Sequence, residues 1–327
     1  MDKPTRSSNK EQLQEELFHS DIKKVISKVR MRSTIRIVII SFITVLMIGI
    51  FGFFLDKFLL NRAANAIYPY LYRKFSISEP NVYQGNVQFS EGVFGGQIRV
   101  QTYKMVGDVP LHWDTLHYQF SIFGSASQYF GDYSPSPQIP TTQGIRLYDP
   151  QTEQRVLQFY APSKHYNKVI NDIPLLKQIP RNDEVEMAIS FHRDYTFSEV
   201  NNMLPKGVTP AWYWVNTYST QDLKNYQWPL LTGEVYGFER IPFVNSPTIY
   251  QTPKDFIDSI KIALVSSPNW VGYRHIFDVL SHGTGKMAPN DIKIIGVLVT
   301  GRPHQLLALS GQPYVRASVL GAIANPF

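Results

Sequence analysis

At 327 residues the chain can supply a short tail, a membrane span and one or two globular domains. Its formal net charge of +6 would suit a nucleic-acid binder, but residues 1–36 hold nine Lys/Arg against five Asp/Glu, leaving only +2 for everything after. A basic patch placed like this points to anionic lipid headgroups and argues against direct nucleic-acid binding. With no cysteine there is no thiol nucleophile and no disulfide, so an outer domain must rest on its hydrophobic core, as is usual in Gram-positive bacteria.

Met1 to Lys10 is polar. From Glu11 on, Leu13, Leu17, Phe18, Ile22, Val25, Ile26 and Val29 recur at helical spacing. Two readings stand: an amphipathic helix lying on the inner leaflet, or a docking helix whose apolar side grips a cytoplasmic partner. The partner-binding candidates are Leu13, Leu17, Phe18, Ile22, Val25 and Ile26.

Ile37 to Leu55 is the most apolar stretch, with no charge and no proline; its polar side chains are Ser41 and Thr44. At about 1.5 Å per residue these nineteen residues just cross a hydrocarbon core of roughly 30 Å. A helix satisfies its own backbone hydrogen bonds, so it is the form such a segment takes in lipid. Lys23, Lys24, Lys28, Arg30, Arg32 and Arg36 precede the span, whereas Asp56 and Lys57 cancel beyond it. The positive-inside rule then keeps residues 1–36 in the cytoplasm and places everything from residue 56 outside, in a single-pass cell-membrane protein. Ala64-Asn65-Ala66 has the look of a signal-peptide cleavage site, but the basic region before the span is too long for a signal peptide.

Residues 56–77 read as a helical stalk with Leu59, Ala63, Ala64, Ile67 and Leu71 on one side, and Ser78-Glu79-Pro80-Asn81 ends it. Residues 78–165 read as a β-rich, membrane-proximal extracytoplasmic domain: Val82-Tyr83, Val87-Gln88-Phe89, Gln97–Tyr103 and His117–Phe123 alternate or nearly so between glycine breaks. Arg146–Tyr148 and Arg155–Tyr160 flank Asp149-Pro150-Gln151 as a hairpin, and Gly124–Gly144 reads as a long loop. After a proline-bearing boundary, residues 170–327 read as an α+β sandwich with helices on one face of a sheet. Its strands are Glu184–Phe191, Trp212–Thr217, Ile292–Val299 and Tyr314–Ala322. Helices open at Thr196 with Glu199 as a capping box, at Thr252-Pro253, at Trp270 and at Gly301-Arg302-Pro303.

The chemistry is sparse. Ser281–Lys286 lacks the first glycine and the closing Ser/Thr of a phosphate loop and reads as an ordinary glycine turn. Glu184 and Glu186 share one side of a strand, opposite its apolar side, where a solvated face is expected. The histidines show no metal-ligand spacing, and there is no G-x-S-x-G. Trp212 and Trp214 share a face, and burial under the helices is expected over glycan stacking. No catalytic, cofactor or metal constellation emerges, and the chain reads as a non-enzyme.

KKVISKVRMRSTIRIVIISFITVL, FLLNRAANAIYPYLYRKFSISEPNVY and GVFGGQI resemble the N-terminal module of the sigma factor regulator family, the Bacillus-type membrane anti-sigma factors. RNDEVEMAISFHRDYTFSEVNNML, PAWYWV, IKIIGVLVTGRPHQLLAL and YVRASVLGAI resemble its C-terminal module. The resemblance implies an envelope sensor whose cytoplasmic tail restrains an extracytoplasmic-function sigma factor. Members that bind one carry a longer tail than thirty-six residues, so a partial grip or a second membrane protein would be involved. The competing expectation is an anchored receptor for wall polymer or peptide with an inert tail.

Overall fold

The computed structural model describes residues 8–124, 126–131, 136–239, 252–266 and 271–326, with side chains from residue 18 on apart from 266 and 271. The chain divides into two compact units, Met1–Leu59 and Leu60–Phe327.

The first unit is built on helix α1, which runs unbroken from Ser8 to Ser78. Every side chain from residue 37 to 55 is exposed in it, as an apolar surface made for lipid would be. Thr44 turns its hydroxyl back to the Ile40 carbonyl at 2.9 Å, so this polar atom too is satisfied within the helix. Among the described residues α1 is the one helix long and apolar enough to cross a membrane, consistent with a single-pass membrane protein.

The second unit begins with the last turns of α1. Leu60, Ala64, Ile67, Leu71 and Phe75, spaced three or four apart, are buried together against an antiparallel meander. Its strands are β1 (Val82–Glu91), β2 (Gly95–Val106), β3 (Val109–Ser121) and β4 (Ala126–Phe130), in that spatial order. Gly107 takes φ +59 at the first position of the two-residue β2–β3 turn, a left-handed value that glycine adopts without a side-chain clash. Tyr68 stacks on Phe89 of β1 with ring centres 5.4 Å apart, so this tyrosine meets the sheet that follows it.

Two expectations fail between the sheets. Gly124–Gly144 is not all loop: it contains β4 and β5 (Gln138–Pro140), the latter paired with β6 (Ile145–Leu147). The hairpin about Asp149 shrinks to one bridge, Tyr148 to Arg155. Asp149 caps its own turn, accepting from the Gln151 and Thr152 amides at 3.0 and 2.7 Å. Leu157, Phe159 and Tyr160 then enter the core instead of continuing a ladder, and Phe159 exchanges two backbone hydrogen bonds of 2.9 Å with Leu230.

The larger sheet is antiparallel throughout, in the order β11 (Val315–Ala324), β7 (Glu184–Tyr195), β10 (Ile294–Gly301), β8 (Thr209–Val215), β9 (Gly237–Glu239). Helices α2 (Phe197–Met203), α4 (Pro253–Ser266), α5 (Val271–Leu280) and α6 (Pro303–Leu306) pack on one face, with Val185, Met187, Ile189 and Phe191 of β7 beneath them. The opposite face is covered by Leu157–Ala161, Ile170 and α3 (Thr220–Asn225). β10 is buried at all eight positions because both faces are covered, which is why its sequence is apolar without alternation. The capping box expected at Thr196 is present: its hydroxyl accepts from the Glu199 amide at 3.2 Å, and the Glu199 carboxylate accepts from the Thr196 amide at 2.6 Å.

Candidate functional site

The N-terminal candidates lie on α1. Phe18, Ile22, Val25 and Ile26 are exposed, and the i, i+4, i+7, i+8 spacing sets them along one side of the helix. Val29, also exposed, extends that side. The side chains of Leu13 and Leu17 lie outside the described residues. Lys23, Lys24, Lys28 and Arg30 stand clear of the apolar line, while Arg32 and Arg36 continue it up to the first residue of the apolar stretch; all six are exposed. The Lys24–Asp21 contact of 3.7 Å is between two well-exposed side chains and contributes little. The cations are therefore open to phosphate headgroups, next to a side that can bury against lipid or a partner.

In the second unit the expected solvated glutamate pair separates. Glu184 reaches Arg302 at the surface, at 3.3 Å. Glu186 is fully buried, because the side of β7 away from the helices is covered by chain rather than water. Its Oε2 lies 2.7 Å from Nζ of Lys104 on β2 and accepts from the Ala322 amide at 3.2 Å. Its Oε1 accepts from Asn81 Nδ2 at 2.8 Å. Lys104, 2% exposed, also lies 4.0 Å from the centre of the Trp113 ring. This carboxylate ties the meander to the larger sheet. It has no open side for a substrate, so it is a structural ion pair.

A second buried acid, Asp172, binds Arg146 and accepts from the Leu320 amide at 3.1 Å. Glu239, at the end of β9, has its carboxyl pushed up to about 8 by burial. Among the described residues no group of His, Cys, Asp and Glu could hold a metal ion. Ser281–Lys286 forms a turn after α5 with Gly283 and Gly285 at positive φ, as an ordinary glycine turn would. Trp212 and Trp214 are buried, on the face opposite α2, α4, α5 and α6, with Phe159, Leu230 and Leu223 of α3.

One feature escaped the sequence. A cleft of about 720 Å³ opens between β5–β6, the 165–168 segment and Gln227–Leu231. Trp228 on its wall is 68% exposed, while Trp113, Trp212 and Trp214 are buried. The signal available was Gln-Trp-Pro just after a short helix, a large aromatic held where the chain cannot be regular.

The basic end of α1, the apolar stretch and the first half of the meander fall inside a match to the family model described as sigma factor regulator N-terminal, over residues 23–111. All but the last two residues of the larger sheet, with its helices, fall inside a match to sigma factor regulator C-terminal, over residues 176–322. No curated protein and no solved structure matches the chain. Such modules are regulatory rather than enzymatic, and they imply a sigma factor as partner. With both modules present in order, the first of them containing the candidate membrane helix, the chain belongs to the sigma factor regulator family.

Proposed function

We propose that the protein is a single-pass membrane regulator whose cytoplasmic helix restrains a sigma factor while the unit Leu60–Phe327 senses the state of the cell envelope from outside. The observation that carries this reading is the conjunction of the two regulator modules with a charge-free stretch preceded by Lys23, Lys24, Lys28, Arg30, Arg32 and Arg36. The Lys/Arg excess retains the N-terminus in the cytoplasm. The line Phe18–Ile22–Val25–Ile26 supplies apolar anchors of the kind an α-helical partner groove takes. Leu13 and Leu17 extend the candidate set, and a second membrane protein would complete a grip that this helix makes only in part. The modules do not favour a receptor with an inert tail.

The test uses full-length protein in its native membrane, with a photo-crosslinking residue in place of Val25. A sigma factor is expected in the crosslink, and Phe18→Asp should reduce the yield about tenfold or more, as loss of a central anchor does. Protease added to wall-free cells should digest the C-terminal unit. Crosslinks to lipid alone, or a protected C-terminal unit, would overturn the reading.

A further inference from the structure

We propose that the cleft beside Trp228 is a saccharide-binding site, taking a short neutral or anionic oligosaccharide. Its volume of about 720 Å³ falls within the roughly 300–1,000 Å³ of small-molecule sites. A sugar presents a face of C–H groups ringed by hydroxyls, and the walls offer a counterpart to each. The exposed indole of Trp228 is a flat platform whose electron-rich face meets C–H groups. The amides of Gln138, Gln158 and Asn167 both donate and accept, as hydroxyl pairs require. Gln158 is 3% exposed, and its Nε2 donates to the Ile145 carbonyl at 2.8 Å. That bond fixes the orientation of the amide. None of the lining residues is acidic, and Lys168 stands exposed at the rim, so a carboxylate or phosphate on the sugar is tolerated.

The walls are fixed before a ligand arrives, which lowers the entropic cost of binding. Arg316 on β11 donates to the Ala161 carbonyl, and Lys164 donates to the Leu223 carbonyl at 2.8 Å, anchoring the chain that leads into the 165–168 wall. The doubly bonded Phe159–Leu230 bridge lies two residues from Trp228. A peptide would be gripped through its main chain or through a row of apolar anchors. Here Pro140, Ile145, Leu147, Pro229 and Leu231 stand beside the side-chain amides and the exposed ring of Trp228, and it is the pairing of amides with a flat aromatic face that favours sugar.

The site goes beyond the regulator reading and does not depend on it. Full-length protein in a detergent without a sugar headgroup is titrated with chitotriose, maltotriose and trialanine, following tryptophan fluorescence and heat. A saturable blue shift with a trisaccharide is expected, weakened about tenfold in Trp228→Ala. Lys168→Ala should weaken only an anionic sugar, read with glucuronic-acid-bearing trisaccharide. Phosphatidylcholine vesicles with and without a diglucosyl lipid distinguish a glycolipid headgroup from free glycan, and binding in either arm supports the site. Silence toward all the sugars at millimolar concentration, or saturation by trialanine alone, overturns it. Neither sigma factor nor membrane orientation enters this measurement, so it can fail while the regulator reading stands.

Discussion

Breaking the Lys104–Glu186 pair from one side should cost far more than replacing it from both. At 2.7 Å and an effective dielectric near 20 the two charges attract by about 6 kcal/mol. Taking each ion out of water costs several kcal/mol, so the intact pair contributes little net stability. Lys104→Met removes the ammonium and leaves the Glu186 carboxylate fully buried with only the Asn81 and Ala322 donors, a loss of roughly 3–5 kcal/mol. Glu186→Gln keeps an oxygen for only one of those two donors and strands the Lys104 ammonium against Trp113, at a similar or larger cost. The double variant strands neither charge and should lie within about 2 kcal/mol of the wild type, giving a coupling of several kcal/mol. Thermal unfolding of the four proteins in detergent, followed by near-ultraviolet circular dichroism, should show each single variant melting roughly 10 °C low and the double variant recovering most of it. A single variant within about 1 kcal/mol of the wild type, or costs that add in the double variant, would refute the argument.

Three further outcomes are expected. A methyl group at Gly321 would lie 2.5 Å from Glu186 Oε2 and 2.6 Å from Leu157 Cδ2, so Gly321→Ala should cost about 1–3 kcal/mol in the same melts. Gly272→Ala, with nothing within 4 Å and a helical position in α5, should be neutral or stabilising by up to about 1 kcal/mol. Glu239 has its carboxyl raised from 4.5 to about 8 by burial. The unfolded chain releases this proton first as pH rises, so the group's stabilising contribution is whole below pH 4.5 and declines until about pH 8. Melting curves between those limits should show this decline flattened in Glu239→Gln, and an unchanged slope would count against it.

Much of the second unit was legible because its elements obey local rules. The alternation of Val185, Met187, Ile189 and Phe191 identified the core side of β7, and Thr196 with Glu199 marked the start of α2 to the residue. What stayed hidden depends on which segment packs where. Glu186 sits on the side of its strand that pattern assigns to water, yet β2 brings Lys104 against it from 82 positions away. Nothing local to either residue announces that meeting. Arg155–Tyr160 has the composition of a strand, but only its first residue bridges Tyr148 of the nearer Arg146–Tyr148; Phe159, buried in the core, pairs with Leu230 instead. The same holds for the cleft: Trp212 and Trp214 drew attention through their spacing, whereas Trp228, in irregular chain, has no periodicity to read. On α1 the register alone aligned Phe18, Ile22, Val25 and Ile26.

The most C-terminal strand, β11, lends side chains to every hydrophobic cluster of the second unit. Leu320 joins the helix-covered core, Ala317 and Val319 the core around Trp212, and Ala322 and Ala324 the core beneath α1. Each of these interiors has an open edge until this strand is in place. The fold must therefore wait for nearly all of its residues before it locks, and a nascent chain stalled short of β11 would be a ready target for quality-control proteases.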